Sequence, residues 1–450
     1  MHESDARFAR GGWSELKNSF REISGSICSP RGFKCASVFC DIKKLGTGRG
    51  SEKGRKDDLA LIVSDVPAAV AGMFTTNQVC AAPVKISRRN ASAIFAHAIV
   101  VNSGNANAAT GEQGMRDAQA MTRLTADVLS KLNRKNRSSL RMPATDVLVC
   151  STGRIGVPMP MKNVERGIRD CAPHLARSAS NARQVAEAIM TTDTRRKEVA
   201  VEFEIGKSTV RIGGICKGAG MIQPGMATML AFITTDAAVE SATLKRALKI
   251  AVGQSFNRIT VDGDMSTNDS VVALANGMAK NSTIGRARLS RADSRGLSPH
   301  HRFQDALNFV CLELAKMIVR DGEGTSRVVG VRVRGARNDR EAEAAARAIA
   351  NSSLVRTSWC GSDPNWGRVL CAVGYSKAKI DESAVDVGYA APDSRKILFA
   401  FRRGRPTNVA LKALARITSE PEFDLHVDLH RGRGEFMIYA ADLTEDYVAL

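Results

Sequence analysis

Short apolar runs alternate with segments of helical periodicity along most of this chain, and that alternation predicts a mixed α/β fold. Each apolar run is short enough for a single strand and is bounded by polar or glycine-containing turns. The predicted strands include a hairpin at 199–205 and 209–215, and residues 396–401 and 424–441 are assigned to an antiparallel hairpin. The others are at 58–65, 96–101, 146–150, 229–233 and 328–333.

Apolar residues three or four positions apart predict helices elsewhere. These segments lie around residues 121–132 and at 185–190, 241–255, 303–319 and 339–351. Residues 1–30 are polar and of mixed charge, so we expect a loosely ordered extension there. Residues 279–301 are polar, rich in arginine and without periodicity, which is typical of a surface loop.

The composition is that of a globular chain without membrane segments. It has 450 residues, 44% hydrophobic and 25% charged, enough for two or three domains or one large core. No apolar run approaches the ~18 residues of a membrane span, and the N-terminus lacks the apolar segment of a secretory signal. The ten cysteines include no C-x-x-C pair. We therefore expect reduced, buried thiols in a cytoplasmic protein, with neither a disulfide framework nor a zinc site.

The formal net charge of +19 raises the question of nucleic-acid binding. The basic residues concentrate in polar loops, and aromatic residues make up only 5% of the chain and do not interleave with them. We therefore expect a solvated basic surface and no nucleic-acid interface. Such a surface would attract anionic small-molecule substrates.

The strongest chemical signal is the stretch 216–236, CKGAGMIQPGMATMLAFITTD. Lys217 stands in a glycine-rich turn, and Thr228 lies between a small residue and an apolar run. An internal threonine is a weak nucleophile. Cleavage of the Ala227–Thr228 peptide would leave an α-amino group, with a pKa of roughly 8, on the same residue as the hydroxyl. The Thr228 hydroxyl can cleave that bond itself by attacking the Ala227 carbonyl. The alternative is that Thr228 simply begins a core strand.

The run K-G-A-G-M-I-x-P-x-M-A-T-M-L resembles the self-cleavage motif of the ornithine acetyltransferase family, the bifunctional glutamate N-acetyltransferases of arginine biosynthesis. Other runs found in that family occur here in the family's order, so the resemblance extends from about residue 32 to residue 450. They are N-S-G-N-A-N-A at 102–108, T-G at 152–153, V-D-G-D-x-S-T-N-D at 261–269, D-G-E-G at 321–324 and G-x-D-P-N-W-G-R at 361–368.

The resemblance implies an α/β fold with mixed sheets sandwiched between helices, the self-cleaving N-terminal-threonine nucleophile fold of this family. It also implies cleavage between Ala227 and Thr228. The products would be an α chain (31–227, after the extension 1–30) and a β chain (228–450). The two chains would stay together, and we expect a heterotetramer of two α and two β chains.

Catalytic roles also follow from the resemblance. Thr228 would carry the acetyl group as an ester, and Thr152 with Gly153 would stabilise the oxyanion. In isolation, S-T-G is only a turn after a strand. Lys217 would assist proton transfer or hold the substrate carboxylate, and the alternative is a surface lysine beside a glycine turn.

Substrate-binding residues are implied in three further segments. Glu323, between two glycines, would hold the amine of the substrate, or else is an exposed turn residue. A threonine of the segment 191–194 would bind substrate, and Thr194 is the best match, with Thr192 as the alternative. The amide-rich run at 102–107 would form a wall of the site, and the alternative is a simple turn after a strand. No metal site is expected, because the D-x-D-x-S-x-N run at 262–268 lacks the glycine and glutamate of a calcium loop.

The implied reaction is acetyl transfer from N-acetylornithine to glutamate by a ping-pong route through the Thr228 ester. No cofactor is expected, and acetyl-CoA stays open as a second acetyl donor. A self-cleaving amidase or aminopeptidase is the alternative enzyme, because it would use the same nucleophile but pass the acyl group to water. Family members continue a few residues past the position of Leu450, with an asparagine and a hydroxyl residue that contact substrate. We therefore expect this chain to cleave itself but to bind substrate weakly.

Overall fold

The structure is a computed structural model that describes residues 19–43, 56–135, 141–223, 229–285 and 298–450. The predicted cleavage site, Ala227 and Thr228, lies outside these ranges. The strands are β1 (Arg21–Ile23), β2 (Phe33–Val38), β3 (Leu59–Phe74), β4 (Phe95–Asn105), β5 (Val147–Arg154), β6 (Lys197–Ile205), β7 (Ser208–Lys217), β8 (Leu230–Thr235), β9 (Ile259–Thr260), β10 (Ser270–Ala275), β11 (Val328–Ala336), β12 (Asp386–Ala390), β13 (Leu398–Arg402), β14 (Arg405–Pro406), β15 (Glu422–Asp428) and β16 (Gly434–Ala441).

The described helices confirm the predicted helical segments and add several short ones. They are α1 (Ala82–Asn90), α2 (Gly111–Lys135), α3 (Met161–Cys171), α4 (Ala179–Ala188), α5 (Ser241–Gln254), α6 (Pro299–Arg320), α7 (Asp339–Ala350), α8 (Ser353–Cys360), α9 (Trp366–Gly374), α10 (Leu411–Thr418) and α11 (Glu445–Val448). The segment predicted at 185–190 begins six residues earlier, where Ser178 caps α4 by accepting a hydrogen bond from the Asn181 backbone.

Nine of the described strands form one sheet in the order β1-β6-β7-β8-β10-β3-β4-β5, with β2 paired to β3 outside that path. Neighbours are antiparallel except β8 with β10 and β4 with β5, which are parallel. The predicted hairpin is confirmed as β6 and β7. β7 also pairs with β8, from Lys217 with Leu230 onward. The segments on both sides of the predicted cleavage position therefore share one ladder of hydrogen bonds.

Seven described strands form a second sheet in the order β14-β13-β12-β15-β11-β16-β9. The predicted hairpin of 396–401 with 424–441 is wrong, because β12 lies between β13 and β15 and pairs with both. Residues 424–441 form two strands, β15 and β16, and β11 lies between them and pairs with both. Alternating valines Val329, Val331 and Val333 of β11 are fully buried, which places one face of that strand in the core. The hydrophobic pattern identified the strands but carries no information about which strand pairs with which.

Helices cover the nine-stranded sheet on both faces, which confirms the predicted sandwich. α5 and α6 pack on one face through Leu244, Leu248, Val310 and Leu314. α4 packs on the opposite face. α1, α2 and α3 cover the end of the sheet built from β3, β4 and β5. The second sheet buries its valine-rich face against α7.

The predicted loose extension over residues 1–30 is corrected for residues 19–30, whereas residues 1–18 lie outside the described ranges. β1 pairs with β6, and Ile27 is fully buried, so residues 19–30 belong to the fold. Their polarity concealed this, because β1 is an edge strand whose side chains are largely exposed.

The cysteines follow the prediction in part, because seven are buried whereas Cys80 and Cys360 are only half-buried. All ten are free thiols, and Cys150, Cys216 and Cys311 are buried. Cys371 is exposed, since α9 turns Val369 and Val373 to the core instead. Of the helices in the described ranges, none combines the length and the apolar composition needed to cross a membrane.

Candidate active site

A cavity of about 1780 Å³ opens at the ends of β5 and β7. This volume exceeds the several hundred Å³ of an ordinary small-molecule site. Its walls come from segments far apart in sequence. Each of the runs that resemble the ornithine acetyltransferase family contributes lining residues, except G-x-D-P-N-W-G-R. The lining residues include Gly104, Ala106, Thr152, Gly153, Thr191, Thr192, Asp193, Thr194, Lys217, Gly220, Asp262, Asn268, Glu323 and Tyr447.

Thr152 and Gly153 lie at the end of β5, where the chain continues the ladder with β4 instead of turning away. Gly153 has φ +130°, and a Cβ there would lie 2.3 Å from the carbonyl carbon of Gly104. Only glycine permits this approach of the two strands. Asn268 supports the same corner by donating to the Ser151 carbonyl at 2.8 Å. The backbone of Gly153 is exposed to the cavity, as an oxyanion donor must be.

Lys217, the last residue of β7, is not the surface lysine of the alternative interpretation, because it is only 2% exposed. Its Nζ donates to the Thr191 hydroxyl at 2.6 Å and to the Thr152 hydroxyl at 3.4 Å. Burial lowers the pKa of Lys217, although the nearby Asp193 carboxylate opposes that shift. Lys217 therefore presents a buried amine directly beside the predicted oxyanion residues.

Within the segment 191–194, the threonine that contacts Lys217 is Thr191, which the sequence did not single out. Thr194 and Thr192 also line the cavity. However, the Thr194 hydroxyl donates to the Asp321 carboxylate. The T-T-D-T run offers three hydroxyls within four residues, and only the course of the backbone decides which one points at Lys217.

Three further charged residues lie beside Lys217 and Thr191, and the sequence predicted no role for their side chains. Asp193, Lys197 and Asp321 are buried, and the Lys197 Nζ donates to both carboxylates at 2.6 Å. Burial alone would raise the pKa of Asp193, but Lys217 and Lys197 outweigh it and lower that pKa to about 2. An ion cluster of this kind has no signature in a single sequence, because its members are up to 128 positions apart.

Glu323 lies on the cavity wall and is half-buried, so it is not a freely exposed turn residue. Its backbone N–H donates to the Ala219 carbonyl at 2.9 Å. A Cβ on Gly220 would lie 2.1 Å from the Glu323 carboxylate. The K-G-A-G and D-G-E-G runs are therefore packed directly against each other.

Two aspartates of the V-D-G-D-x-S-T-N-D run hold the segments that flank Thr228. Asp262 accepts the Ile222 N–H at 2.9 Å, and Asp269 accepts the Met229 N–H at 2.9 Å. Burial raises the pKa of Asp269 well above the ordinary value. This run therefore positions the chain on both sides of the predicted nucleophile.

The amide-rich run forms part of the wall through its backbone. Gly104 and Ala106 line the cavity, whereas the side chains of Asn102 and Asn107 bond within the protein. The G-x-D-P-N-W-G-R run contributes no lining residue among those described. Asn365 caps α9, and Trp366 stacks on Phe401 at 5.1 Å between ring centroids. Within the described ranges, no three histidine, cysteine or acidic side chains come together as a metal site.

A family model and curated relatives match almost the whole chain. A family model described as the ArgJ family matches residues 37–450. The arginine biosynthesis bifunctional protein ArgJ of Symbiobacterium thermophilum is 46% identical over 428 residues, covering 95% of this chain and 98% of that protein. The protein of the same name from Dehalococcoides mccartyi is 43% identical over 428 residues, covering 95% and 96%. A solved structure of an ornithine acetyltransferase from Mycobacterium tuberculosis, complexed with ornithine, is 32% identical in sequence. The match covers 46% of this chain and 98% of the solved chain, with a TM-score of 0.39.

Proposed function

The chain belongs to the ArgJ family, and from that membership we propose that it is an acetyltransferase of arginine biosynthesis. It moves an acetyl group from N2-acetylornithine to glutamate through an ester on Thr228. The curated relatives named above are called arginine biosynthesis bifunctional proteins and are matched over nearly their full length.

The observation that carries this proposal is the convergence of Thr152, Gly153, Lys217 and Glu323 on one cavity. They come from separate parts of the sequence and supply what an acyl transfer needs beside its nucleophile. Thr152 and Gly153 are oxyanion donors, Lys217 is a buried cation and Glu323 is a carboxylate. The two charges suit a substrate with a carboxylate and an amine.

In the first half-reaction, the Thr228 hydroxyl attacks the acetyl carbonyl of N2-acetylornithine, and the Thr228 α-amino group takes the hydroxyl proton. The Gly153 N–H and the Thr152 hydroxyl donate to the oxyanion that forms. The carbon–nitrogen bond then breaks, the amine receives the proton, and ornithine leaves an acetyl ester on Thr228. Lys217 faces the substrate carboxylate and Glu323 faces its side-chain amine.

In the second half-reaction, the amine of glutamate attacks the ester carbonyl in the same oxyanion site. The carbon–oxygen bond breaks, the proton returns to the Thr228 oxygen, and N-acetylglutamate leaves. The ester allows two different amino acids to use one site in turn, which a direct transfer between them would not.

The nucleophile has to be released by cleavage of the Ala227–Thr228 bond, giving an α chain (31–227, after residues 1–30) and a β chain (228–450). The pairing of β7 with β8 would hold the two chains together after cleavage. A heterotetramer of two α and two β chains completes this proposal.

The experiment begins with the purified protein on a denaturing gel, where two bands should appear in place of one of 48.3 kDa. Sequencing of the second band should begin at Thr228. Thr228→Ala should give one band and no acetyl transfer, while Thr235→Ala, at the far end of β8, should cleave normally. A second fragment with any other N-terminus would overturn the assignment of the nucleophile.

The donor and the acceptor are tested separately. Acetylornithine with glutamate should give N-acetylglutamate at a rate far above that of acetylornithine with water. Faster release of free acetate than of N-acetylglutamate would favour the amidase instead. The same assay with acetyl-CoA as donor decides whether the protein also starts the pathway or only recycles acetyl groups.

A further inference from the structure

The corner that holds Thr191 and Lys217 is built around a buried ion cluster, which we define as Asp193, Lys197 and Asp321. Asp193 uses both carboxylate oxygens. One accepts from Lys197 Nζ at 2.6 Å and from the Gly218 N–H at 2.7 Å. The other accepts from the Thr191 N–H at 3.0 Å and lies 3.8 Å from Lys217 Nζ. A single carboxylate thus contacts the backbone of both segments that meet at the amine of Lys217.

Asp321 connects the same cluster to the Glu323 segment. It caps the C-terminal end of α6 and lies two residues before Glu323. Its carboxylate accepts from Lys197 Nζ at 2.6 Å and from the Thr194 N–H at 3.1 Å. The Lys197 ammonium also lies near the negative end of the helix dipole, which favours its charged form.

The buried charges around Lys217 are balanced in sign. Asp193 and Asp321 carry two negative charges, Lys197 and Lys217 carry two positive charges, and all four side chains are at most 5% exposed. Removal of one member of a buried set leaves an uncompensated charge. The protonation of Lys217 therefore depends on the other members of the set.

We propose that Asp193, with Lys197 and Asp321, is a positioning group that sets both the location and the charge of Lys217. The proposal rests on the proposed function only in giving Lys217 a role toward substrate. The Asp193 carboxylate favours the protonated form of Lys217, and the Lys197 ammonium disfavours it. Among the described residues, the charged groups that act on Lys217 from the elements packed around it include Asp193, Lys197, Glu323, Asp269 and Lys43, with Asp321 behind Lys197.

Two substitutions test the proposal because they should act in opposite directions. Asp193→Asn removes the anion 3.8 Å from Lys217 Nζ, so Lys217 should lose its proton at a pH about one unit lower. Lys197→Met removes a competing cation at nearly constant volume, so Lys217 should lose its proton at a higher pH. The double variant should fall between them. If the cluster only stabilised the fold, the two substitutions would not shift the pH of Lys217 proton loss in opposite directions.

The direct measurement is the reaction of Lys217 with acetic anhydride as a function of pH, followed by mass spectrometry of the Lys217 peptide. Only the neutral amine reacts, so the midpoint of labelling reports the proton loss of Lys217. This measurement does not require an active enzyme. A wild-type protein without acetyl transfer would overturn the proposed function and leave this test intact.

The kinetic measurement is the pH profile of kcat in acetyl transfer. Its alkaline limb should move down in Asp193→Asn and up in Lys197→Met, with kcat at the optimum about ten- to a hundredfold lower in Asp193→Asn. Asp236→Asn is the matched control. Asp236 is a fully buried carboxylate that accepts backbone N–H groups of Arg31 and Arg211, and it does not line the cavity.

Asp236→Asn should change neither the labelling midpoint nor the alkaline limb. Thermal unfolding scans identify any variant that fails to fold. If only one of the two single variants folds, the direction in which its labelling midpoint moves still tests the proposal. Midpoints in Asp193→Asn and Lys197→Met that match the wild type, or that move in the same direction, would overturn the proposal.

Discussion

Replacing Gly153 with alanine should disturb both the stability and the chemistry of this protein. Two separate penalties can be worked out from the structure. First, φ +130° at this position is a conformation that side chains rarely adopt, which costs about 1–3 kcal/mol. Second, the new Cβ would lie 2.3 Å from the Gly104 carbonyl carbon and 2.5 Å from the Asn105 nitrogen. Both neighbours are backbone atoms, so no rotamer change can relieve the overlap.

The strands β4 and β5 must therefore separate locally by roughly 1 Å to restore ordinary contact. Weakening one or two ladder hydrogen bonds would add about 0.5–1.5 kcal/mol each. The combined cost is about 1.5–6 kcal/mol. For 450 residues, the unfolding entropy of about 2.1 cal/mol/K per residue converts each kcal/mol into about 1 °C of Tm. We therefore expect Tm to fall by about 1.5–6 °C.

The same displacement moves the Gly153 N–H away from the oxyanion, so kcat should fall by about a hundredfold even in the folded fraction. The assays are thermal unfolding and acetyl transfer from acetylornithine. Gly156→Ala is the matched control, because Gly156 has φ +77° and, among the described residues, no atom lies within 4 Å of the place that its Cβ would take. It should lose about 1 °C and keep its activity.

A Gly153→Ala protein that melts and turns over like the Gly156→Ala protein would refute this reasoning. The strand approach at Gly153 would then be neither tight nor necessary for the oxyanion site.

Three further predictions concern single side chains. Thr152→Ala should lower kcat about a hundredfold with little change in KM, while Thr152→Ser should retain most activity; a pure KM effect would make Thr152 a binding residue. Glu323→Gln should chiefly raise KM for acetylornithine, and an unchanged KM would leave Glu323 without a role in recognition. Burial raises the pKa of Asp424 to about 6, so wild-type stability should fall as pH rises from about 4 through 6. Asp424→Asn should lack that fall and be on the order of 2–3 kcal/mol more stable at pH 7.5, with the gap closing below pH 4; parallel Tm curves would contradict it.

Most of the longer elements of the fold were predictable because each depends on local pattern, whereas short helices and strands such as β1 were not predicted. The helix over 303–319 and the hairpin of β6 and β7 follow from periodicity and a glycine turn, and both appear where the sequence places them. The partner of each strand was not predictable. β11 enters between β15 and β16 although it precedes both by some 90 residues, because pairing depends on which buried faces meet in space.

The residues of the candidate active site also fall into two groups, those that the sequence indicated and those that only the folded structure identified. The sequence alone determined the chemistry-bearing runs: the K-G-A-G stretch with Lys217, the T-G pair, and Glu323 between glycines. Only the tertiary structure decided that Thr191 is the threonine in contact with Lys217, and that Asp193, Lys197 and Asp321 surround it. The physical reason is that hydrogen bonds and ion pairs act over about 3–4 Å in space. Local sequence fixes a backbone conformation, but the meeting of Asp193 with Asp321 through Lys197 requires the folded packing of β6 against α6.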